Sequence, residues 1–241
     1  MRCGETPWGK VSASAVIYKR NPPMRLILAR HGNTFNLGEK VVWIGAQTDL
    51  PLVDKGREQA REIGFGLSRA KLKPDVILTG PLARMRETAA IVAGVVGCPA
   101  ASLKVDDRLQ DLDYGLWEGK SSVEIARQFG HDALLAWECG NRWPNNAGWQ
   151  PSQQKVIDNI NSILSMGAID DWYNDKTVLA VSSSGIFRLM SRLVGVIPDL
   201  AKIATGHISL IETSASKTHV HGWNIHPGSL EQYLRHAPLD A

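Results

Sequence analysis

Short apolar runs in this chain stop abruptly, and the residues at which they stop carry its polar chemistry. Met24 to Ala29 has the length of a buried strand and ends at Arg30-His31-Gly32. Asp75-Val76-Ile77-Leu78 reads as a second buried strand. It turns through Thr79-Gly80-Pro81 into a helix running to about Val96, with Pro81 suited to a first helical turn. Lys176 to Val181 reads as a third, followed by Ser182-Ser183-Ser184-Gly185. Between these runs the period changes: Ala60, Ile63, Leu67 and Ala70 recur at helical spacing in a segment that ends before Lys73-Pro74, and Val156 to Met166 is again amphipathic. Residues 98 to 107 read as a loop or an edge strand. His207 to Ile211 and Thr218 to Asn224 alternate like two strands of a hairpin at a sheet edge. Ahead of them all, Val11 to Tyr18 reads as an extra strand broken by Asn21-Pro22-Pro23.

Strands alternating with helices predict an α/β fold, a three-layer α/β/α sandwich on a mainly parallel sheet. Residues 1–241 then form a single domain, with 1–23 as an N-terminal extension and about 120–152 as an inserted cap. In the cap Trp137, Trp143 and Trp149 stand among Gly and Pro residues; they read either as the cap's own small core or as the lining of a pocket. His131 reads as a surface residue. In open sheets of this kind ligands bind at the carboxyl ends of the strands, where loops vary over a fixed scaffold. An imidazole and a guanidinium placed there point to phosphoryl chemistry, since histidine is a nucleophile as well as a base and arginine presents a planar fork of donors.

Composition narrows the picture only slightly. A chain of 241 residues with 44% hydrophobic and 21% charged residues is long enough to bury a substantial core. A net charge of +3 without a Lys or Arg tract gives no argument for nucleic acid. No apolar stretch reaches the roughly 18 residues of a membrane span, and the first ten residues lack a signal-peptide core. Cys3, Cys98 and Cys139 have no metal-ligand spacing and read as free thiols in a reducing compartment, so a cytoplasmic location is expected.

Four segments in order resemble the signatures of the histidine phosphatase superfamily, the phosphoglycerate mutase-like enzymes. They are Arg30-His31-Gly32 with Thr34; Pro81-Leu82-Ala83-Arg84 with Thr88-Ala89; Leu109 to Gly119; and Ser182 to Arg188. Gly45 to Leu52 resembles the superfamily's substrate-side loop, which adds Gln47 and Thr48 to the candidates. The resemblance implies a phosphatase without a cofactor or metal that acts on a small phosphorylated metabolite; charge and hydropathy give no expectation of a nucleic-acid or membrane partner, and a homodimer is allowed. It makes His31 the nucleophile, Arg30 and Arg84 the phosphoryl-binding cations and Asp111 the acid and base. A mutase is the weaker implication, because nothing in the chain specifies return of the phosphoryl group to substrate.

Four positions depart from the pattern, one of them Asn33, which stands where a Glu or Gln is common. The superfamily branch with the third motif has Glu where Asp111 stands; Asp is one methylene shorter, so Asp113 is an alternative acid. In the loop after the nucleophile, Leu37 occupies a place where an Asn is frequent, while Asn36 stands one residue earlier. The largest departure is Ser183, where the superfamily has its second His. A serine donates one hydrogen bond but carries no positive charge, and the analogous loss of an oxyanion donor costs on the order of 10² to 10³ in rate. His207 at the start of the next strand is one compensation; backbone donors of Ser183, Ser184 and Gly185 at a helix amino end are another. If neither serves, the chain is a module that binds phosphate esters without turning them over. The triple serine lacks the leading Gly of a serine-hydrolase elbow. His219, His221 and His226 are close enough in sequence to raise a metal site, with His219 and His221 on one strand face, yet no carboxylate or Cys completes them at ligand spacing.

Overall fold

Alternate residues of the first strand go to opposite faces, and that period of two builds both halves of the core. The computed structural model describes residues 22–214 and 217–234. The strand expected at Val11 to Tyr18 lies outside them, as does Cys3; Cys98 and Cys139 are free thiols.

Six strands form one mixed sheet in the order β3-β2-β4-β1-β5-β6: β1 (Met24–Arg30), β2 (Val76–Thr79), β3 (Leu103–Val105), β4 (Thr177–Ser182), β5 (Ile208–Thr213) and β6 (Thr218–Ile225). The four strands β3, β2, β4 and β1 are parallel. β5 runs antiparallel to β1, and β6 antiparallel to β5, giving the edge hairpin that the alternating pattern predicts. Leu26 and Leu28 point to one side with Val76, Leu78, Val178 and Ala180; Ile27 and Ala29 point to the other with Ile77, Leu179 and Val181.

On that second side α1 (Asp54–Arg69), α2 (Ala83–Val96) and the short α8 (Leu230–Leu234) cover the sheet with Ile63, Leu67, Met85, Val92 and Leu230. On the first side lie α5 (Gln153–Leu164), the single turn α6 (Met166–Ile169) and α7 (Ser184–Leu193). The helix expected from Val156 to Met166 is therefore two pieces, because the chain leaves α5 at Ser165, whose hydroxyl turns back to Asn161 O.

The segment 120–152, expected as a cap and called so below, holds two short helices, α3 (Ser122–Phe129) and α4 (His131–Glu138). Ser121 and Glu124 cap α3 reciprocally, satisfying two otherwise orphaned donors. Glu124 also pairs with Lys40 at 2.8 Å; Lys40 first, then Ser121, holds its carboxyl down to about 2. Trp43 donates its indole N–H to Ser122 Oγ at 3.0 Å, so the loop after β1 is tied to the cap at two points. Trp149 sits inside a ring cluster with Trp43, Tyr114, Trp117, Trp137 and Trp143 at centroid distances of 4.8 to 6.5 Å. The cap tryptophans thus form a small core, continuous with the core on the first side of the sheet.

Candidate active site

Parallel pairing of β1 with β4 sets Arg30 opposite Ser182, and His31 N donates to Ser182 O at 3.1 Å. His31 and Ser183 therefore leave their strands side by side. β2 ends level with them, Gly80 N donating to Val181 O at 3.0 Å, and delivers Arg84 at the second position of α2. Ser182 Oγ donates to Leu109 O at 2.6 Å, which ties the segment leading to Asp111 onto the same strand end. The geometry depends on an interlock of two glycines. A Cβ on Gly32 would stand 2.2 Å from Gly56 O, and one on Gly56 would stand 2.2 Å from Asn33 O.

A cleft of about 860 Å³ opens over these strand ends. Its floor includes Arg30, His31, Asp111 and Ser183, and one wall is the loop from Asn33 to Ile44. His31 is 5% exposed, and its Nδ1 lies 2.8 Å from Gly32 O. A carbonyl only accepts, so Nδ1 carries the proton and Nε2 keeps the lone pair. Nε2 has no hydrogen-bond partner among the described residues. Burial, then the fields of Arg30 and Arg84, hold the imidazole well below its ordinary value of 6.5, so it is neutral at physiological pH.

Arg84 is fully buried; its Nη1 donates to Thr48 O at 2.8 Å, and its Nη2 to Gly45 O at 3.1 Å and to Asp111 Oδ2 at 2.8 Å. The other oxygen of Asp111 accepts from Leu112 N at 2.8 Å and from Ser183 Oγ at 2.5 Å. Arg30 donates Nη1 to Ile203 O at 2.8 Å; burial lowers its affinity for its proton, and Tyr114 and Asp111 restore part of it. Burial and then Asp111 push the Tyr114 phenol well above its ordinary range, so Tyr114 is a neutral hydroxyl in the cleft wall.

The structure brings His31, Arg30, Arg84, Asp111 and Ser183 together. Asn36 lines the cleft on an exposed stretch, with its amide turned to Glu39 at 2.8 Å. Gln47 and Thr48 do not line it: Gln47 donates to Asp113 Oδ2 at 2.9 Å, and Thr48 contributes the main-chain oxygen that holds Arg84. Asp113 in turn accepts from Gly115 N at 2.8 Å, so its carboxylate is spent on its own loop.

His207 is also placed away from the cleft. Its Nδ1 lies 3.2 Å from Asn224 O and its ring meets His226 edge-on at 5.3 Å, because β5 begins at Ile208 and pairs with β6 on that side. What faces the cleft from that segment is Lys202 and Thr205. Glu212 of β5 lies 3.0 Å from His221, a carboxylate that sequence spacing could not supply; no group of three metal-holding side chains forms among the described residues.

Tyr114 and Arg188 are among the cleft residues that were not sequence candidates. Tyr114 lies inside the Leu109 to Gly119 segment. Arg188 follows Ser184 by four residues, one helical turn, a spacing that could have singled it out.

The model of the histidine phosphatase superfamily (branch 1) matches residues 26–226. Glucosyl-3-phosphoglycerate phosphatase of Mycolicibacterium vanbaalenii is 29% identical over 181 residues, covering 71% of this chain and 75% of its own length. A 2,3-bisphosphoglycerate-dependent phosphoglycerate mutase of Thermobifida fusca is 32% identical over 114 residues, and there the match spans only 44% of the relative. Among solved structures, a mycobacterial glucosyl-3-phosphoglycerate phosphatase superposes with a TM-score of 0.67 at 21% identity, over 83% of this chain and 98% of that one, a likeness of fold. With its strand-end histidine and the family model matched across both halves of the sheet, this chain belongs to the histidine phosphatase superfamily, branch 1.

Proposed function

We propose that this protein is a phosphatase that hydrolyses a small phosphomonoester, without a metal, through a phosphohistidine on His31. The observation that carries the proposal is the ring of His31: neutral, with Nδ1 held by Gly32 O and Nε2 unengaged. Nε2 attacks phosphorus, the N–P bond forms, and the bond to the leaving oxygen breaks as that oxygen takes a proton from Asp111. Water then attacks the phosphohistidine, gives its proton to Asp111, and the N–P bond breaks to release phosphate. Arg30 and Arg84 stabilise the equatorial oxygens.

The cycle asks one rearrangement of the site. Arg84 and Ser183 both donate to Asp111, whose two oxygens are acceptors throughout. A phosphoryl group arriving at Arg84 competes for Nη2 and frees Asp111 to hold a proton. The same observation, with a neutral Ser183 in the pocket, favours a second reading in which the site binds phosphate esters and does not turn them over.

Phosphate release from a panel of phosphomonoesters without added metal, with acid quench to trap a phosphoenzyme, decides between them. Turnover and a trapped adduct that both vanish in His31→Ala are expected. Phosphate esters that raise the melting temperature with no release from any of them would leave the binding module in its place.

A further inference from the structure

The cleft holds a buried guanidinium that the proposed reaction leaves unused. Arg188 is 7% exposed and lines the same cleft as His31 and Ser183. Its Nη1 donates twice, to Glu138 O at 2.8 Å and to Asn141 Oδ1 at 2.9 Å, both in or just after α4 of the cap. Glu138 offers its main-chain oxygen and not its carboxylate, and among the described residues no acidic side chain forms an ion pair with Arg188. Arg84 shows the contrast: it is fully buried, and its charge is met by Asp111.

The Glu138 carboxylate, without pairing, offsets part of the burial of Arg188, but every hydrogen bond the guanidinium makes is to a neutral oxygen; burying a cation on such partners is costly, and the cost is recovered when an anion occupies the site. Two further features give Arg188 the form of a subsite. Ser184, one turn earlier on α7, faces the cleft, and its hydroxyl has no recorded bond among the described residues. Lys202 stands exposed at the rim and adds positive charge on the way in. The anchoring nitrogen is held by the cap, so the guanidinium lies on the cap side of the cleft. The phosphoryl cations Arg30 and Arg84 instead come from β1 and the start of α2.

We propose that Arg188, with Ser184 beside it, is a second anion subsite that binds a negatively charged group on the leaving-group part of the substrate, a carboxylate or a second phosphate. The substrate is then a phosphomonoester carrying at least one further anionic group, and Arg188 sets that specificity. This inference rests on the phosphatase reading for the position of the first phosphoryl group.

Non-hydrolysable probes test it apart from turnover. Phenylphosphonate, 3-carboxyphenylphosphonate and 1,3-phenylenebisphosphonate are titrated into the full-length protein by calorimetry, and the ratio of affinities is read. A charge-assisted contact predicts that one charged probe binds roughly tenfold or more tightly than phenylphosphonate, and which one it is tells carboxylate from phosphate. In Arg188→Met that ratio falls to near one. Arg188 also ties the cap to α7, so Ser184→Asp serves as the second variant; it leaves the cap anchor alone, sets a negative charge in the subsite, and is expected to abolish the ratio as well.

Equal binding of all three probes by the unaltered protein overturns the subsite. So does a uniform loss across the three in Arg188→Met, which would place Arg188 on the phosphoryl group itself. A ratio unchanged in Ser184→Asp overturns it too. Preferential binding of a charged probe by a protein that hydrolyses no ester keeps the subsite and removes only the hydrolase reading.

Discussion

His31 is held ready by a proton it does not take up. Burial is the larger cause and the fields of Arg30 and Arg84 the next, so the folded protein binds that proton only well below pH 6.5, whereas the unfolded chain binds it near 6.5. Between those two values the unfolded state carries more protons, and stability therefore rises with pH across that window and levels off above it. The contribution of His31 is fully present above 6.5 and drains away as pH falls, at up to about 1.4 kcal/mol per pH unit. Urea unfolding from pH 5 to 8, on the native protein and on His31→Gln, isolates the effect. The native protein should lose stability relative to the variant as pH drops below 6.5. A difference that stays constant across the range would mean that His31 carries its ordinary proton affinity in the fold. The same physics explains why the residue is legible in sequence while its state is not. Arg30-His31-Gly32 names the imidazole, but its neutrality comes from Arg84, fifty-three positions away, and from burial.

Strand and helix ends do the positioning, and here the pattern of the chain is informative in one respect and silent in another. β1, β2 and β4 were readable because they are continuous apolar runs of buried parallel strands, and residues of the site follow them within a few positions: His31 after β1, Arg84 after β2 and Ser183 after β4. What no local pattern carries is the contact between elements. Gly32 reads as a turn residue, yet its reason is the backbone of α1 pressed against it. A methyl group there would lie 2.2 Å from Gly56 O, and relief requires the β1 end and the start of α1 to part. His207 shows the opposite failure. It begins a strand beside β1, which made it an attractive second imidazole, but the pairing of β5 with β6 turns its ring to Asn224. The close approach yields a prediction at this scale. Gly32→Ala should lower stability by roughly 2 kcal/mol or more through overpacking, and should depress the proposed phosphatase turnover in greater proportion than Gly94→Ala, where a Cβ meets nothing within 4 Å. Chemical denaturation and rate measurements on the two variants check it; equal stabilities would show that the backbone yields without strain.

At the level of the whole molecule the site lies where the cap meets the strand ends, over one continuous core. The sheet and its helices fix the strand ends, and the cap sets what closes over them. Trp137 belongs to both, buried in the aromatic cluster and lining the cleft, so the two readings of the cap tryptophans as core and as pocket wall converge on one residue. The cluster is centred on Trp149, which is 4% exposed and stacks edge-on against Tyr114 and Trp137, each at 4.8 Å. It also precedes Gln150, whose backbone pairs with Asp113 two residues beyond Asp111. Removing the indole therefore takes packing from the cap and from the segment that carries Asp111 in one step. Trp149→Ala should cost about 3 to 5 kcal/mol, the range for a buried aromatic truncated to a methyl group. It should also speed proteolysis between Cys139 and Ala147 and lower turnover. Trp172→Ala, at a ring that is 50% exposed on the far end of the chain's first-side helices, should change stability by no more than about 0.5 kcal/mol. Thermal unfolding with limited proteolysis of both variants separates the outcomes. A Trp149→Ala protein as stable and as protease-resistant as its Trp172 counterpart would mean that the cap is held by its polar ties at Lys40 and Ser122 rather than by its rings. The floor of the cleft would then depend on the sheet alone.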